Sequence, residues 1–193
     1  MLPNINMPIS EKPRSIRDCA QKIIAAIAQS GDDYPALASA LRAPVADLVK
    51  NDNLVALGAP RQGNNVASSH YLYFDGQLSI LLFEVPSDRT IPPHDHGIWE
   101  AFCTYRGRVR HQTLRRIDDE SVSGYAELET LSDDILGAGE LTIIAPPADI
   151  HSFTALETGT LGLTIANGPY KRERHYYQPE NNSYVVKPQV NFR

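Results

Sequence analysis

The chain is short of the residues that most readily betray a function. Among 193 residues there are two cysteines, two methionines and one tryptophan. Cys19 and Cys103 stand in unlike segments and form no Cys-x-x-Cys pair, which argues against a thiolate metal site and a disulfide framework. Two free thiols in a reduced protein are expected instead. No apolar run approaches the length needed to span a bilayer. Residues 1–8 lack a basic stretch followed by an apolar one, so no secretion signal is read there. Charge of one sign is also scarce: 18 Lys and Arg against 23 Asp and Glu give a net charge of −5. Without a basic stripe, nucleic acid is not an expected partner, and neither is a membrane. These absences leave a cytoplasmic protein, monomer or homodimer, of single-domain length.

What is present divides the chain into three stretches: helical residues 1–55, a strand-rich region over 68–167, and a polar, aromatic tail over 168–193. Ser15 suits an N-cap, and Ile16, Ala20, Ile23, Ile24 and Ile27 form an apolar stripe ended by Ser30-Gly31. The pattern predicts a second short helix over Tyr34–Leu41 and a third from Pro44 to about Lys50. These helices make too little core alone and should pack against the outside of the strand-rich region. From His70 the texture becomes short strands broken by turns. Tyr71–Phe74 leads through Asp75-Gly76 into Leu78–Val85. Then come Trp99–Tyr105, the turn at Arg106-Gly107, Arg108–Arg115, Tyr125–Leu131, Leu141–Ala145, Ile150–Leu156 and Thr160–Ala166. About eight short strands without a long helix between them indicate an antiparallel sandwich or barrel. The path of the tail, with Tyr170, Tyr176 and Tyr177 among charges, is not readable.

The chemistry concentrates in His94-Asp95-His96-Gly97-Ile98-Trp99-Glu100, answered by His151. On one extended strand, side chains at every second position share a face. His94, His96 and Glu100 should therefore point the same way and, joined by His151, form a three-His, one-carboxylate site for a divalent transition metal. Such donors suit iron, nickel, manganese, copper or zinc. Pro92 and Pro93 fix an extended backbone just before His94. Asp95 falls on the opposite face. The bland alternative is a hydrogen-bonded cluster of structural histidines.

His94-x-His96-x-x-x-Glu100, followed by six residues and Gly107, resembles the first motif of the cupin superfamily. Pro146-Pro147-Ala148-Asp149-Ile150-His151 resembles the second, with Gly139 at the strand entry. Asp88, Ala148 and Ala155 replace residues usual in those motifs. The resemblance implies a mainly β protein, a double-stranded β-helix or jelly-roll barrel, with the metal in its mouth and the N-terminal helices packed outside.

From about His70 to His151 the chain is further similar to the thiol dioxygenases, cysteine dioxygenase and more closely 3-mercaptopropionate dioxygenase. The carriers are Pro92-Pro93-His94-Asp95-His96, Trp99, the Tyr71-Leu72-Tyr73 strand, the Asp75-Gly76 hairpin and Asp149-Ile150-His151. That family uses three neutral histidines and lacks the glutamate, so Glu100 is a departure. Its Ser-x-His-x-Tyr run on the last barrel strand is also missing, Gly162, Thr164 and Ala166 standing there. No arginine is evident for a substrate carboxylate, Tyr71 or Tyr73 occupying the corresponding strand. Inefficiency on cysteine itself is therefore expected. Cys103 has the parity of a residue facing away from the ligands and reads as a buried structural thiol.

The reading is a metal-dependent cupin, and within that class a mononuclear non-haem iron dioxygenase that combines O2 with a small molecule bearing a thiol or carboxylate. Fe(II) is the expected cofactor, with nickel, manganese or zinc as alternatives. The metal ligands are His94, His96, Glu100 and His151. Substrate-binding candidates are Tyr71, Tyr73, Arg110, His111 and Arg115, and no further catalytic residue is assigned. The alternatives are a four-ligand cupin acting as lyase, isomerase or decarboxylase, and a non-enzymatic small-molecule binder.

Overall fold

Ser15 caps helix α1 (Ile16–Ser30), its side chain accepting from Asp18 N at 3.1 Å, and Gly31, at φ 53°, ends it. The structure is a computed structural model that describes residues 15–61, 68–168 and 170–188. Residues 1–8, the subject of the secretion-signal reading, and the last five residues of the tail lie outside the described residues. Cys19, Ala20, Ile23 and Ala26 are buried along α1, whereas Ile24 is 40% exposed at the edge of the stripe.

The second and third expected helices are one: α2 (Tyr34–Val49) runs through Pro44. Proline inside a helix removes one i→i−4 hydrogen bond and normally ends it. Here Leu37, Leu41, Val45 and Leu48 continue one buried face across the break, and Pro44 itself is buried. Packing of that face outweighs the lost bond. A single-turn helix, α3 (Leu54–Leu57), adds to the expected set; Asn53 caps it.

The strands are β1 (Ala59–Pro60), β2 (Ser69–Phe74), β3 (Leu78–Glu84), β4 (Ile91–His94), β5 (Glu100–Arg106), β6 (Val109–Arg116), β7 (Leu128–Leu136), β8 (Leu141–Ile144), β9 (Ile150–Ala155), β10 (Leu161–Asn167), β11 (Glu173–Gln178) and β12 (Ser183–Pro188). They form two antiparallel sheets, in the orders β1-β2-β3-β10-β5-β8 and β12-β11-β4-β9-β6-β7. Counted from β3 to β10, eight strands fall into two four-stranded halves, 1-8-3-6 and 2-7-4-5. That interleaving is a jelly roll, as the cupin resemblance implies.

The central strands of the first sheet are covered on both faces. Leu78, Ile80, Leu82, Ala101, Cys103, Leu163 and Ile165 join Ile23, Leu37, Leu41 and Leu48 of the helices in one apolar cluster. The alternate residues Leu81, Phe83, Glu100 and Thr164 face the barrel cavity. Strand β5 is therefore buried at six of its seven positions, and Cys103 looks toward the helices while Glu100 looks inward. Burial pushes the Cys103 thiol up to about 12, which keeps it protonated.

One strand expectation is corrected. The strand placed at Tyr125–Leu131 is β7, shifted to Leu128–Leu136; Tyr125 makes only an isolated bridge to Ser183. Strand β7 pairs with β6, with Arg110–Asp133 and Arg115–Glu129 bonds between them, and Leu131 and Ile135 stay exposed. The tail forms β11 and β12, which extend the second sheet through Tyr176 opposite His94. No helix among the described residues is long and apolar enough to cross a membrane.

Candidate metal centre

His94 and Glu100 do not lie on one strand. His94 ends β4 in the second sheet, Glu100 opens β5 in the first, and a bend over residues 95–99 carries the chain between them. Gly97 sits in that bend at φ 70°, a left-handed conformation that glycine adopts without steric cost. Shared strand parity therefore does not apply to these residues. Their side chains nevertheless converge, because the two strands face each other across the barrel.

Each histidine is held separately. His94 pairs in register with His151 of β9, and its Nδ1 lies 2.9 Å from the Pro92 carbonyl oxygen. A carbonyl only accepts, so His94 carries its proton on Nδ1 and leaves Nε2 bare. Past the strand end, Asp149 accepts from the backbone N–H groups of His96 (3.0 Å) and Gly97 (2.5 Å), which pins the bend. The Nε2 atoms of His96 and His151 stand 2.9 Å apart. The ligand atoms of His94, His96 and His151 all lie within 4.8 Å of one another.

Glu100 flanks this cluster. Its Oε2 accepts from the Tyr170 hydroxyl at 2.6 Å and lies 3.5 Å from His96 Nδ1. Its Oε1 lies 3.9 Å from His151 Nε2. Asp95 points the other way and accepts from Lys171 Nζ (3.0 Å) and from the His175 backbone N–H (3.0 Å) and Nδ1 (2.7 Å). It fastens the tail to the barrel.

Burial sets the protonation states. Desolvation lowers His94 to about 4 and holds His96 and His151 well below the usual histidine range, so all three are neutral near pH 7. Burial also pushes the Glu100 carboxyl up to about 7, opposed by the Tyr170 hydrogen bond. Neutral imidazoles are the form that binds metal. The donor set fits a divalent ion on a further count. Donors bonded to one ion at about 2.1 Å lie roughly 3–4 Å apart, and the spacings of 2.9 and 3.9 Å to His151 Nε2 match. His96 then presents Nε2, while its buried Nδ1 lies 3.5 Å from Glu100 Oε2.

Above the histidines lies a cavity of about 230 Å³. That is below the roughly 300–1,000 Å³ typical of pockets for drug-sized ligands, so it suits a small molecule. Arg61, Arg89, Arg174, Tyr170 and Tyr176 line it together with the histidines. The Arg174 guanidinium lies 4.5 Å from the Tyr170 ring centre, with its Nε buried and without a hydrogen-bond partner. Tyr176 stacks on the His94 ring at 5.6 Å.

Four of the five substrate-binding candidates lie away from the cavity. Arg110 and Arg115 are exposed on the outer face and pair with Asp133 and Glu129 of the neighbouring strand β7. Tyr73 donates to Asp75 at the hairpin turn, and Tyr71 packs on Phe74. None of these four lines the cavity. Outward parity on β6 and cross-strand ion pairing explain the arginines. His111 is inward but lies beneath the site, its Nε2 at 2.9 Å from His151 Nδ1.

The phenol and the arginines absent from the expected strands come from elsewhere. Tyr170, Arg174 and Tyr176 are supplied by the tail, and Arg61 and Arg89 by loops. The alternation Arg174-x-Tyr176 on a strand was a readable signal; the turn that brings Tyr170 over Glu100 had none.

No protein-family model and no curated protein sequence matches the chain. Solved structures similar to it include hydroquinone 1,2-dioxygenase PnpCD in complex with Cd2+ and 4-hydroxybenzonitrile, at TM-score 0.40 and 12% identity. That match covers 50% of this chain and 61% of the PnpCD chain, so less than two thirds of the latter is spanned. KdgF from Halomonas sp. is similar at TM-score 0.41 and 16% identity, over 55% of this chain and 85% of its own. An RmlC-like cupin from Ralstonia eutropha JMP134 is similar at TM-score 0.41 and 19% identity, covering 65% and 68% of the two chains. These are likenesses of fold at low identity. The strand order and the histidine cluster define a jelly-roll barrel with a candidate three-histidine metal centre.

Proposed function

We propose that the protein is a mononuclear non-haem iron dioxygenase acting on a small molecule that bears a carboxylate or a thiol. The observation that carries this reading is the convergence of three neutral, buried imidazoles beneath a small cavity lined by arginines. Fe(II) bound there would supply adjacent coordination positions at which an organic donor and O2 meet. His94, His96 and His151 are its neutral ligands and Glu100 the anionic fourth. Arg174, with an unpartnered buried Nε, is suited to hold the anionic end of a substrate. Tyr170 keeps its proton, because burial and the Glu100 charge raise it well above the usual phenol range, and orients the Glu100 carboxylate. Phe83, Ile91 and Phe153 form an apolar part of the cavity wall.

The test is O2 consumption by the Fe(II)-loaded protein with cysteine, with 3-mercaptopropionate and with small carboxylates that lack a thiol. Substrate-dependent O2 uptake is expected with at least one of them. The proximity of Glu100 favours a second reading, in which a four-ligand metal acts as a Lewis acid in a lyase or isomerase without O2. Equal turnover under argon, or equal activity of Zn(II)-loaded protein, would support that reading instead.

A further inference from the structure

His111 is 1% exposed and stands beneath the cavity, outside the residues that line it. Its ring packs beside Phe102 (5.0 Å) and Phe153 (6.4 Å, stacked), which fixes its plane. From that position its Nε2 faces His151 Nδ1 at 2.9 Å, the two rings meeting nearly edge to face.

Two neutral imidazoles can share one proton in either sense, and the sense matters. If His111 donates, His151 must carry its proton on Nε2, the atom that faces His96 and the cluster. If His111 accepts, His151 carries its proton on Nδ1 and presents a bare Nε2. His94 has the same requirement met by the Pro92 carbonyl, which can only accept. For His151, on β9, register with Thr113 of β6 leaves its Nδ1 facing the His111 ring.

We propose that His111 is a positioning residue of the metal centre: its Nε2 accepts the Nδ1–H of His151 and so fixes the tautomer and ring orientation in which His151 Nε2 is a ligand. His111 then carries its own proton on Nδ1. An imidazole in this role adds no charge behind the ligand, unlike the carboxylate that often stands there. The inference rests on the metal centre proposed above, and its test separates the two.

Fe(II) is titrated anaerobically into metal-free wild type, His111→Phe and His111→Gln, and imidazole 15N shifts are recorded on metal-free wild type. Phenylalanine keeps the ring volume and removes the acceptor; glutamine restores an acceptor oxygen near the position of Nε2. The expected result is a ~10–100-fold loss of Fe(II) affinity in His111→Phe, with His111→Gln recovering most of it. The 15N shifts should show His151 protonated on Nδ1. Wild-type affinity in His111→Phe overturns the inference, as does equal loss in both variants, which would mean packing alone. If wild type binds no Fe(II), the metal centre fails and the tautomer decides separately: Nδ1–H on His151 supports the pairing, and Nε2–H overturns it. The tautomer measurement also decides if His111→Phe does not fold.

Discussion

The Tyr170 hydroxyl donates to Glu100 Oε2 at 2.6 Å, joining a residue of the tail to the first residue of a barrel strand. Glu100 is buried and Tyr170 partly so, and the bond, ahead of the Arg174 charge, opposes the burial-driven rise in the Glu100 carboxyl. Tyr170→Phe should therefore destabilise the metal-free protein by about 1.5–3 kcal/mol, the range for hydrogen bonds to charged groups. Urea denaturation near pH 8, where Glu100 is ionised, checks this. A loss below about 0.5 kcal/mol would mean that the pair contributes little.

Asp149 is expected to matter twice. Its carboxylate is the acceptor for the His96 and Gly97 backbone N–H groups, and Asp149→Ala leaves both without it. The cost should be about 1–3 kcal/mol for each group left unsatisfied. Because the bend then loosens, Fe(II) affinity should fall as well, by roughly 10–100-fold. Thermal melts and anaerobic Fe(II) titration read the two effects separately, and unchanged values in both would refute the role of Asp149.

Stability of the metal-free protein should decline in mild acid. His94 and His111 have folded-state values of about 4 against an ordinary 6.5, so the folded state binds fewer protons than the unfolded between those values. Stability is lost as pH falls from 6.5 toward 4, and His96 and His151 act in the same direction. Glu100, raised to about 7 from 4.5, acts oppositely between those values. Four groups against one make the net slope a loss. The melting temperature of metal-free protein at pH 5 should lie below that at pH 7, and an equal or higher value would contradict the assigned protonation states.

Local patterns carried most of the fold. Ser15 and Gly31 bracket α1, the Asp75-Gly76 hairpin lies between β2 and β3, and Gly107 turns β5 into β6 at φ 82°. Pro44 misled because a local steric rule was overridden by the buried face of α2. The histidines were legible as a group, but their convergence with Glu100 arises from two sheets facing each other, which alternation along one strand cannot express. The cavity wall was the least legible part. Arg61, Arg89, Tyr170, Arg174 and Tyr176 meet only through long-range pairing of loops and tail with the barrel. Arg110 and Arg115, by contrast, drew attention through proximity in sequence and face Asp133 and Glu129 outside.

The position of Glu100 separates a four-ligand site from a three-histidine site. A structure of the Fe(II)-bound protein should place a Glu100 oxygen at about 2.0–2.3 Å from the metal, within the usual range of such bonds. A carboxylate held by Tyr170 at its present distance would leave three neutral ligands and make the site a three-histidine one.

Whether the three histidines hold a metal at all is decided by the metal content of wild type, His96→Ala and His151→Ala after anaerobic loading with Fe(II) and removal of excess. One Fe(II) per wild-type chain is expected, with loss of most of it in each variant and circular dichroism showing the barrel intact. Full occupancy in both variants, or a wild-type chain that retains no metal, would contradict the assignment.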